Sequence, residues 1–342
     1  MPAPQRERFT ILGDGAMATV CSILLTQGGH EVTMWGAFEE SIERLIQNRE
    51  NAKLLRGVRI PESVRLTAND GDCFAGCTAI LSAIPTQYVR SVWTRLKPHV
   101  PKDVPIVSVA KGIEIDTLLR PSQVICDVLA PGVTCPWKLA VLSGPNIAGE
   151  IARYLPATAV AASDDADLAL RVQSAFSTQW FRVYTNDDVV GVELAGATKN
   201  VIAIAAGILD GLSAGNNAKA ALVTRGLVEI MRLGVAMGAH EETFHGLAGL
   251  GDLITTCVSP EGRNRTVGEQ LGKGRKLDDI LAHMDSVAEG VPTTRAVRQL
   301  ARRFHVEMPI TESVYSVLFE NKDVLTALSE LMSRQPKPER EA

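Results

Sequence analysis

The sequence predicts an α/β protein in two parts: a doubly wound, mainly parallel sheet over residues 1–188, then an all-helical domain over residues 189–332, with a flexible polar tail at 333–342. Three observations carry this. The chain opens on a strand-length apolar run, a glycine-rich turn and an apolar helix-length run; short strand-like runs then alternate with helical patterns; and beyond Asp188 the apolar stretches outgrow any strand. A chain of 342 residues also exceeds what one hydrophobic core usually organises, so two cores are expected.

Taken in order, residues 9–12 read as a strand, residues 13–18 as a turn entering a helix, Gly28-Gly29 as a turn, and residues 31–35 as a second strand, a compact βαβ opening. Further strand-like runs fall at 78–83, 105–109, 139–142, 158–162 and 181–184, separated by helical patterns such as 87–96. The polar turn at 186–188 marks the boundary. After it, 191–212 and 218–238 are rich in Ala, Leu, Ile and Val without strand-length punctuation and read as buried helices, followed by shorter helical segments at 266–271, 277–283, 293–304 and 310–320. The last ten residues are polar, contain two prolines and are expected to fray.

Composition removes several function classes. Hydrophobic residues make up 46% and charged residues 22%, an ordinary globular balance. The net charge of -4 arises from 35 basic and 39 acidic residues without a basic block, so nucleic acid is not an expected partner. The polar first ten residues and the short strand after them do not form a signal-peptide core, and no uninterrupted apolar run reaches about 18 residues, so neither export nor membrane insertion is expected and the cytoplasm is the expected compartment. Six cysteines are scattered, and the one close pair, Cys73 and Cys77, lacks a second pair or nearby histidines; they read as buried reduced thiols, with no metal site. The six histidines form no catalytic or metal-binding pattern.

The strongest motif is Gly13-Asp14-Gly15-Ala16-Met17-Ala18, a G-x-G-x-x-A fingerprint placed between a strand and a helix. Gly13 permits the tight turn, Gly15 lets a pyrophosphate approach the backbone, Ala18 is small enough for the helix to pack on the sheet, and the helix N-terminus offers amide donors. The reading is a Rossmann-like domain that binds NAD or NADP; the alternative is a tight turn with no ligand. The second strand ends Trp35-Gly36-Ala37-Phe38, with neither a ribose-binding acid nor an arginine in place, and Glu39 and Glu40 read as solvated residues of a first helical turn.

Charges in apolar surroundings supply the other candidates. Lys199 is the one charged residue between Glu193 and Asp210, and its helical neighbours Ala195 and Ala203 are small enough to leave room for a substrate. It is either a desolvated proton donor with a lowered pKa or a lysine snorkelling to solvent. Lys111 follows the strand at 105–109, the end of a parallel strand where ligands bind, or is surface decoration. Asp252, in the Gly-flanked segment 249–256, shares a helical face with Thr256 and is a partner for a buried lysine or a helix N-cap. Arg263 and Asn264 after Gly262 form a phosphate-gripping fork or a solvated loop, whereas Lys273, Arg275 and Lys276 read as solvated. Gly144, Asn146 and Ala148 follow another strand and form a ligand loop.

These motifs, with residues 109–114, 143–148, 194–207, 249–257, 262–264 and 307–312, resemble in order those of NAD(P)-dependent glycerol-3-phosphate dehydrogenase from about residue 9 to residue 330. The resemblance implies reduction of dihydroxyacetone phosphate to sn-glycerol 3-phosphate, a phospholipid precursor, in a homodimer. It places the catalytic lysine on Lys199, substrate contacts on Lys111, Gly144, Asn146, Asp252, Gly262, Arg263 and Asn264 with Thr256 close by, and cofactor contacts on Ala16, Met17, Trp35 or its neighbours, Lys111, Ala148, Arg263, Val287 and Glu289. Asn146 stands where Ser or Thr is common and Gly262 where Ser precedes the Arg-Asn pair, both similar to the eukaryotic branch. Ala18 replaces Gly, and the basic residue often seen after the second strand is missing, which leaves NAD against NADP open. Lys111 joins Lys199 and Asp252 in the expected catalytic set. The rival readings are a related two-domain dehydrogenase of β-hydroxy acids and a catalytically silent dinucleotide sensor.

Overall fold

In the computed structural model the described residues are 6–284, 287–336 and 338–339. Eight strands form one sheet: β1 (Arg8–Leu12), β2 (Glu31–Trp35), β3 (Arg65–Thr67), β4 (Ala79–Ser82), β5 (Ile106–Ser108), β6 (Leu139–Ser143), β7 (Ala157–Ala162) and β8 (Phe181–Asn186). Their spatial order is β3-β2-β1-β4-β5-β6-β7-β8. All neighbouring pairs are parallel except β6 with β7, so β7 and β8 run against the rest. Strands such as β4 are buried on both faces, which is why they read as unbroken apolar runs. The sheet reverses direction of winding at β1, flanked by β2 on one side and β4 on the other, and the chain leaves the C-terminal end of β1 into α1 (Ala16–Gln27). That is the crevice where ligands bind in such sheets.

β3 is absent from the sequence reading because three residues at a sheet edge carry no detectable period. The cysteine expectation is also corrected in part. Cys126 and Cys135 form a disulfide with Cα atoms 5.3 Å apart, because the chain after α4 (Pro121–Leu129) folds back on the helix; Cys21, Cys73, Cys77 and Cys257 are free thiols.

The helical part is built round α7 (Val189–Gly211), nearly all of whose residues are buried. By length and composition α7 could cross a membrane, yet 94% of its most apolar window is covered by protein. Its entry is fixed by two carboxylates. Asp188 caps it, accepting hydrogen bonds from the Gly191 amide (2.7 Å), the His240 amide (2.9 Å) and the Thr243 hydroxyl (2.7 Å). Buried Glu193 accepts from the Ser122 amide (2.9 Å), the Ser122 hydroxyl (2.6 Å) and the Arg120 guanidinium, tying α7 to the start of α4.

Around α7 lie α8 (Gly215–Ala236), α10 (Asp252–Val258), α11 (Arg263–Gly272), α13 (Gly290–Arg303) and α14 (Pro309–Phe319). The α7–α11 contact is backbone on backbone. A Cβ on Gly268 would lie 1.9 Å from the Ile204 carbonyl oxygen, one on Gly207 would lie 2.0 Å from that of Arg265, and Gly211 and Gly272 abut in the same way. Alanine at 268 gains about 1 kcal/mol of helix preference, but overpacking costs about 1–3 kcal/mol or more. Gly268→Ala is therefore expected to lower the unfolding free energy by about 2 kcal/mol in urea titration; a neutral or stabilised variant would contradict the contact.

Candidate active site

α7 brings Lys199 into the interior, where its side chain is 7% exposed. The ammonium group donates to the Asp252 carboxylate and to the Thr256 hydroxyl at 2.6 Å. Thr256 in turn donates to the Asp252 carbonyl at 2.7 Å, so its lone pair is turned toward the lysine. Asp252 and Thr256 lie one turn apart on α10, as their spacing implies. Asp252 is not a cap accepting amide bonds: Gly251 holds the cap position, and a π-helical turn over Leu247–Gly251 leads into α10. That turn needs Gly249, where a Cβ would sit 2.1 Å from the Phe244 carbonyl oxygen.

The second oxygen of Asp252 accepts from Lys111 at 2.8 Å, and the same ammonium donates to the Gly144 carbonyl at 2.9 Å. Lys111 follows β5 and Gly144 follows β6, both at C-terminal strand ends. Gly144 has φ +140°, and a Cβ there would press on Ala159 and the Thr158 carbonyl at 3.1 Å, so glycine is required. One buried carboxylate thus holds two ammonium groups, one from each part of the chain. Burial pushes the Lys199 ammonium down from the ordinary lysine range to about 8; Asp252 pulls it back up, and Lys111 pushes it further down. Lys199 does not snorkel to solvent: its ammonium is buried among Asp252 and Thr256.

Beside this group, Arg263 opens α11. Among the described residues no side chain caps that helix. The Arg263 guanidinium donates to the Val287 carbonyl at 3.1 Å. Asn264 is buried, and its side-chain oxygen accepts from the Gly290 amide at 2.9 Å, joining α11 to the start of α13. Glu289 accepts from the Thr86 amide just after β4 at 2.8 Å; burial pushes its carboxyl up, while that amide bond, Arg263 and Lys111 pull it down. Lys111, Arg263, Val287 and Glu289 are thereby brought into one neighbourhood.

The fingerprint fits a dinucleotide. Gly13 has φ +121° with its Cβ position 2.6 Å from the Ala83 carbonyl oxygen, whereas the space over Gly15 is open for 4 Å. α1 begins there with no capping side chain and no acid in its first turn, leaving amides free for a pyrophosphate. Ala18 is fully buried against the sheet. Met17, Val109, Lys111 and Asn146 line one small pocket, which links the fingerprint helix to Lys111. The Asn146 amide donates to the Thr158 carbonyl at 3.0 Å, and Ala148 starts a short helix that packs beside α1.

The Trp35 side chain lies in the core, its indole N–H donating to Asp70 at 3.2 Å, while its carbonyl accepts from the Gly13 amide of the fingerprint at 2.8 Å; Gly36, Ala37 and Phe38 follow β2. Two neighbours escaped sequence reasoning. A Cβ on Gly196 would crowd Ser143 Oγ at 3.1 Å and the Lys111 stem at 3.5 Å, so this glycine makes room for Lys111; the buried Ser143 hydroxyl has no partner among the described residues. Gly196 lies one turn before Lys199 on α7, and that spacing was the available signal.

Residues 8–169 match the family described as NAD-dependent glycerol-3-phosphate dehydrogenase N-terminus, and residues 188–329 the one described as NAD-dependent glycerol-3-phosphate dehydrogenase C-terminus. A glycerol-3-phosphate dehydrogenase (NAD(P)+) of Citrifermentans bemidjiense is 48% identical over 333 residues, 97% of this chain and 99% of that protein. Its counterpart in Prosthecochloris aestuarii is 48% identical over 331 residues, again 97% and 99%. The crystal structure of glycerol-3-phosphate dehydrogenase from Coxiella burnetii superposes with a TM-score of 0.91 at 35% identity, covering 96% of this chain and 99% of that one.

Removing the shared carboxylate leaves the buried Lys199 ammonium and the half-buried Lys111 ammonium without a counter-charge, a change that costs about 3–5 kcal/mol. Asp252→Asn is expected to lower the unfolding free energy by that amount at neutral pH, and Lys199→Met in the same background to recover part of it. An unchanged denaturation midpoint in Asp252→Asn would contradict the shared arrangement.

Proposed function

The chain belongs to the NAD-dependent glycerol-3-phosphate dehydrogenase family, and on that premise we propose how its residues divide the work. It is an oxidoreductase that interconverts dihydroxyacetone phosphate and sn-glycerol 3-phosphate with NAD or NADP. The observation that carries the assignment of roles is the buried Lys199 ammonium, depressed to about 8 and held by Asp252 beside Lys111.

Lys199 donates its proton to the C2 oxygen of the bound ketone and takes it back in the oxidation. A group that titrates near neutrality balances proton affinity in both directions. Asp252 positions Lys199 through one oxygen and Lys111 through the other, and Lys111 adds positive potential where alkoxide charge develops. Thr256 takes a further Lys199 hydrogen bond and fixes its direction. Arg263, Asn264 and the uncapped amides after Gly262 hold the phosphate, so that binding far from the carbonyl fixes its place. Gly144 and Asn146 close the other side. When bound, the nicotinamide supplies the hydride. Gly13, Gly15, Ala16, Met17, Ala18 and Ala148 would hold the dinucleotide at the sheet, with the backbone following Trp35 near its adenosine end, and Lys111, Arg263, Val287 and Glu289 would hold it at the helical side.

The same proposal assigns residues 1–188 to the dinucleotide-binding domain and 189–332 to the helical domain; of the tail at 333–342, residues 337 and 340–342 lie outside the described residues. It places the protein in the cytoplasm as a homodimer that supplies glycerophospholipid synthesis. Sedimentation of the purified chain tests the dimer.

Oxidation of NADH or NADPH, followed by absorbance with dihydroxyacetone phosphate, tests the reaction. Lys199→Ala is expected to lose about 10²–10⁴-fold in turnover, the range of a lost general acid, while still binding NADH; normal turnover would remove Lys199 from its role, and faster turnover of a nonphosphorylated hydroxy acid would remove the substrate assignment. The pH profile gives a separate check. Reduction needs the protonated lysine, so its rate is expected to fall as pH rises through about 8, and the oxidation rate to climb over the same window. A flat profile from pH 7 to 9.5 in both directions would contradict the assignment.

A further inference from the structure

NAD-binding sheets commonly place an acid at the end of the second strand to take the adenosine ribose 2′-hydroxyl, whereas NADP-binding ones place an arginine there for the 2′-phosphate. This chain has neither on β2, yet the space is occupied by a carboxylate from elsewhere. Asp14, the residue between Gly13 and Gly15, turns its side chain over the strand end: one oxygen lies 3.0 Å from the position a Cβ on Gly36 would take. That oxygen accepts from the Ser41 hydroxyl at 2.6 Å, and the Asp14 carbonyl accepts from the Asn51 side chain at 2.8 Å. The carboxylate is therefore held over the strand end rather than free to swing out.

The surroundings reinforce its sign. Glu39 and Glu40 stand exposed in the first turn of the helix Glu39–Asn48 that follows. Arg95 touches this end, its guanidinium over the Trp35 ring and donating to the Ala37 carbonyl at 2.9 Å. Its charge is matched by Asp70, which accepts two hydrogen bonds from it, both at 2.7 Å. Phe38, where an arginine would meet a 2′-phosphate, is exposed and apolar.

We propose that Asp14 replaces the missing β2 acid, accepting a hydrogen bond from the 2′-hydroxyl and repelling a 2′-phosphate, so that this chain prefers NAD(H) over NADP(H). The inference rests on the fingerprint being the dinucleotide site. It assigns the choice of cofactor to a side chain inside the glycine turn.

Fluorescence titrations of the purified protein with NADH and with NADPH test it without relying on turnover. NADH is expected to bind at least 10-fold more tightly. Asp14→Asn, which keeps the shape and removes the charge, is expected to bring the two affinities within about threefold of each other, and Phe38→Arg on the unperturbed turn to improve NADPH binding by at least 10-fold. Arg95→Ala is expected to leave the ratio of affinities unchanged or further toward NADH by less than threefold. Equal or tighter NADPH binding by the wild-type protein, an unchanged ratio in Asp14→Asn, or a 10-fold selective loss of NADPH in Arg95→Ala would overturn the proposal while leaving the dehydrogenase reading intact. Failure of both nucleotides to bind would overturn the reading itself.

Discussion

Two ammonium groups on one buried carboxylate is the arrangement to which the rest of the molecule is fitted. Lys199 arrives on a central helix and Lys111 from the end of β5, and they meet through Asp252 at the start of α10. Lys199 could not be left without a counter-charge at such depth, because desolvation of a lone charge costs more than any local contact returns. The pairing therefore joins the sheet to the helical layer and sets the proton affinity of Lys199 in one act. Its chemistry follows from its imbalance: burial and the second cation push Lys199 down, the carboxylate pulls it up, and the result lies near 8.

Holding the proposed substrate site in reach of Lys199 is a matter of backbone distances. Four glycines, Gly207 and Gly211 on α7 and Gly268 and Gly272 on α11, let two helices touch without side chains between them. This close approach fixes the start of α11, with Arg263 and Asn264, relative to Lys199. Asn264 then fastens the first turn of α13 through Gly290, and Glu289 fastens that turn to the strand ends through Thr86. A phosphate at α11 and a nucleotide at the sheet, where we propose them, would thus be placed against one another by stiff elements rather than by loops.

Much of this was legible in the sequence, for physical reasons. The parallel strands announce themselves as unbroken apolar runs because both their faces are covered, and the fingerprint is readable because Gly13 has to adopt a positive φ against Ala83. Lys199 stood out as the one charge in a long apolar helix, and Asp252 and Thr256 as a pair one turn apart. What was hidden depended on distant partners. β3 is too short to show a period, the Cys126–Cys135 pair depends on a fold-back after α4, and the Trp35 side chain is turned into the core while its carbonyl stays bonded to the fingerprint turn. The role of Gly196 and the matched glycines of α7 and α11 could have been suspected from small residues three or four apart, but which helix they face is a property of the packing. Asp14 reads as a filler between two glycines until its side chain is seen over the end of β2.

The central claim is that Lys199 titrates far below an ordinary lysine because it is buried beside Lys111 and restrained by Asp252. The direct measurement is NMR of the lysine side chains labelled at Cε, with the Lys199 resonance assigned by its loss in a Lys199→Met variant. The account predicts a midpoint near pH 8 for that resonance; a midpoint at 10 or above would show an ammonium in contact with water and contradict it.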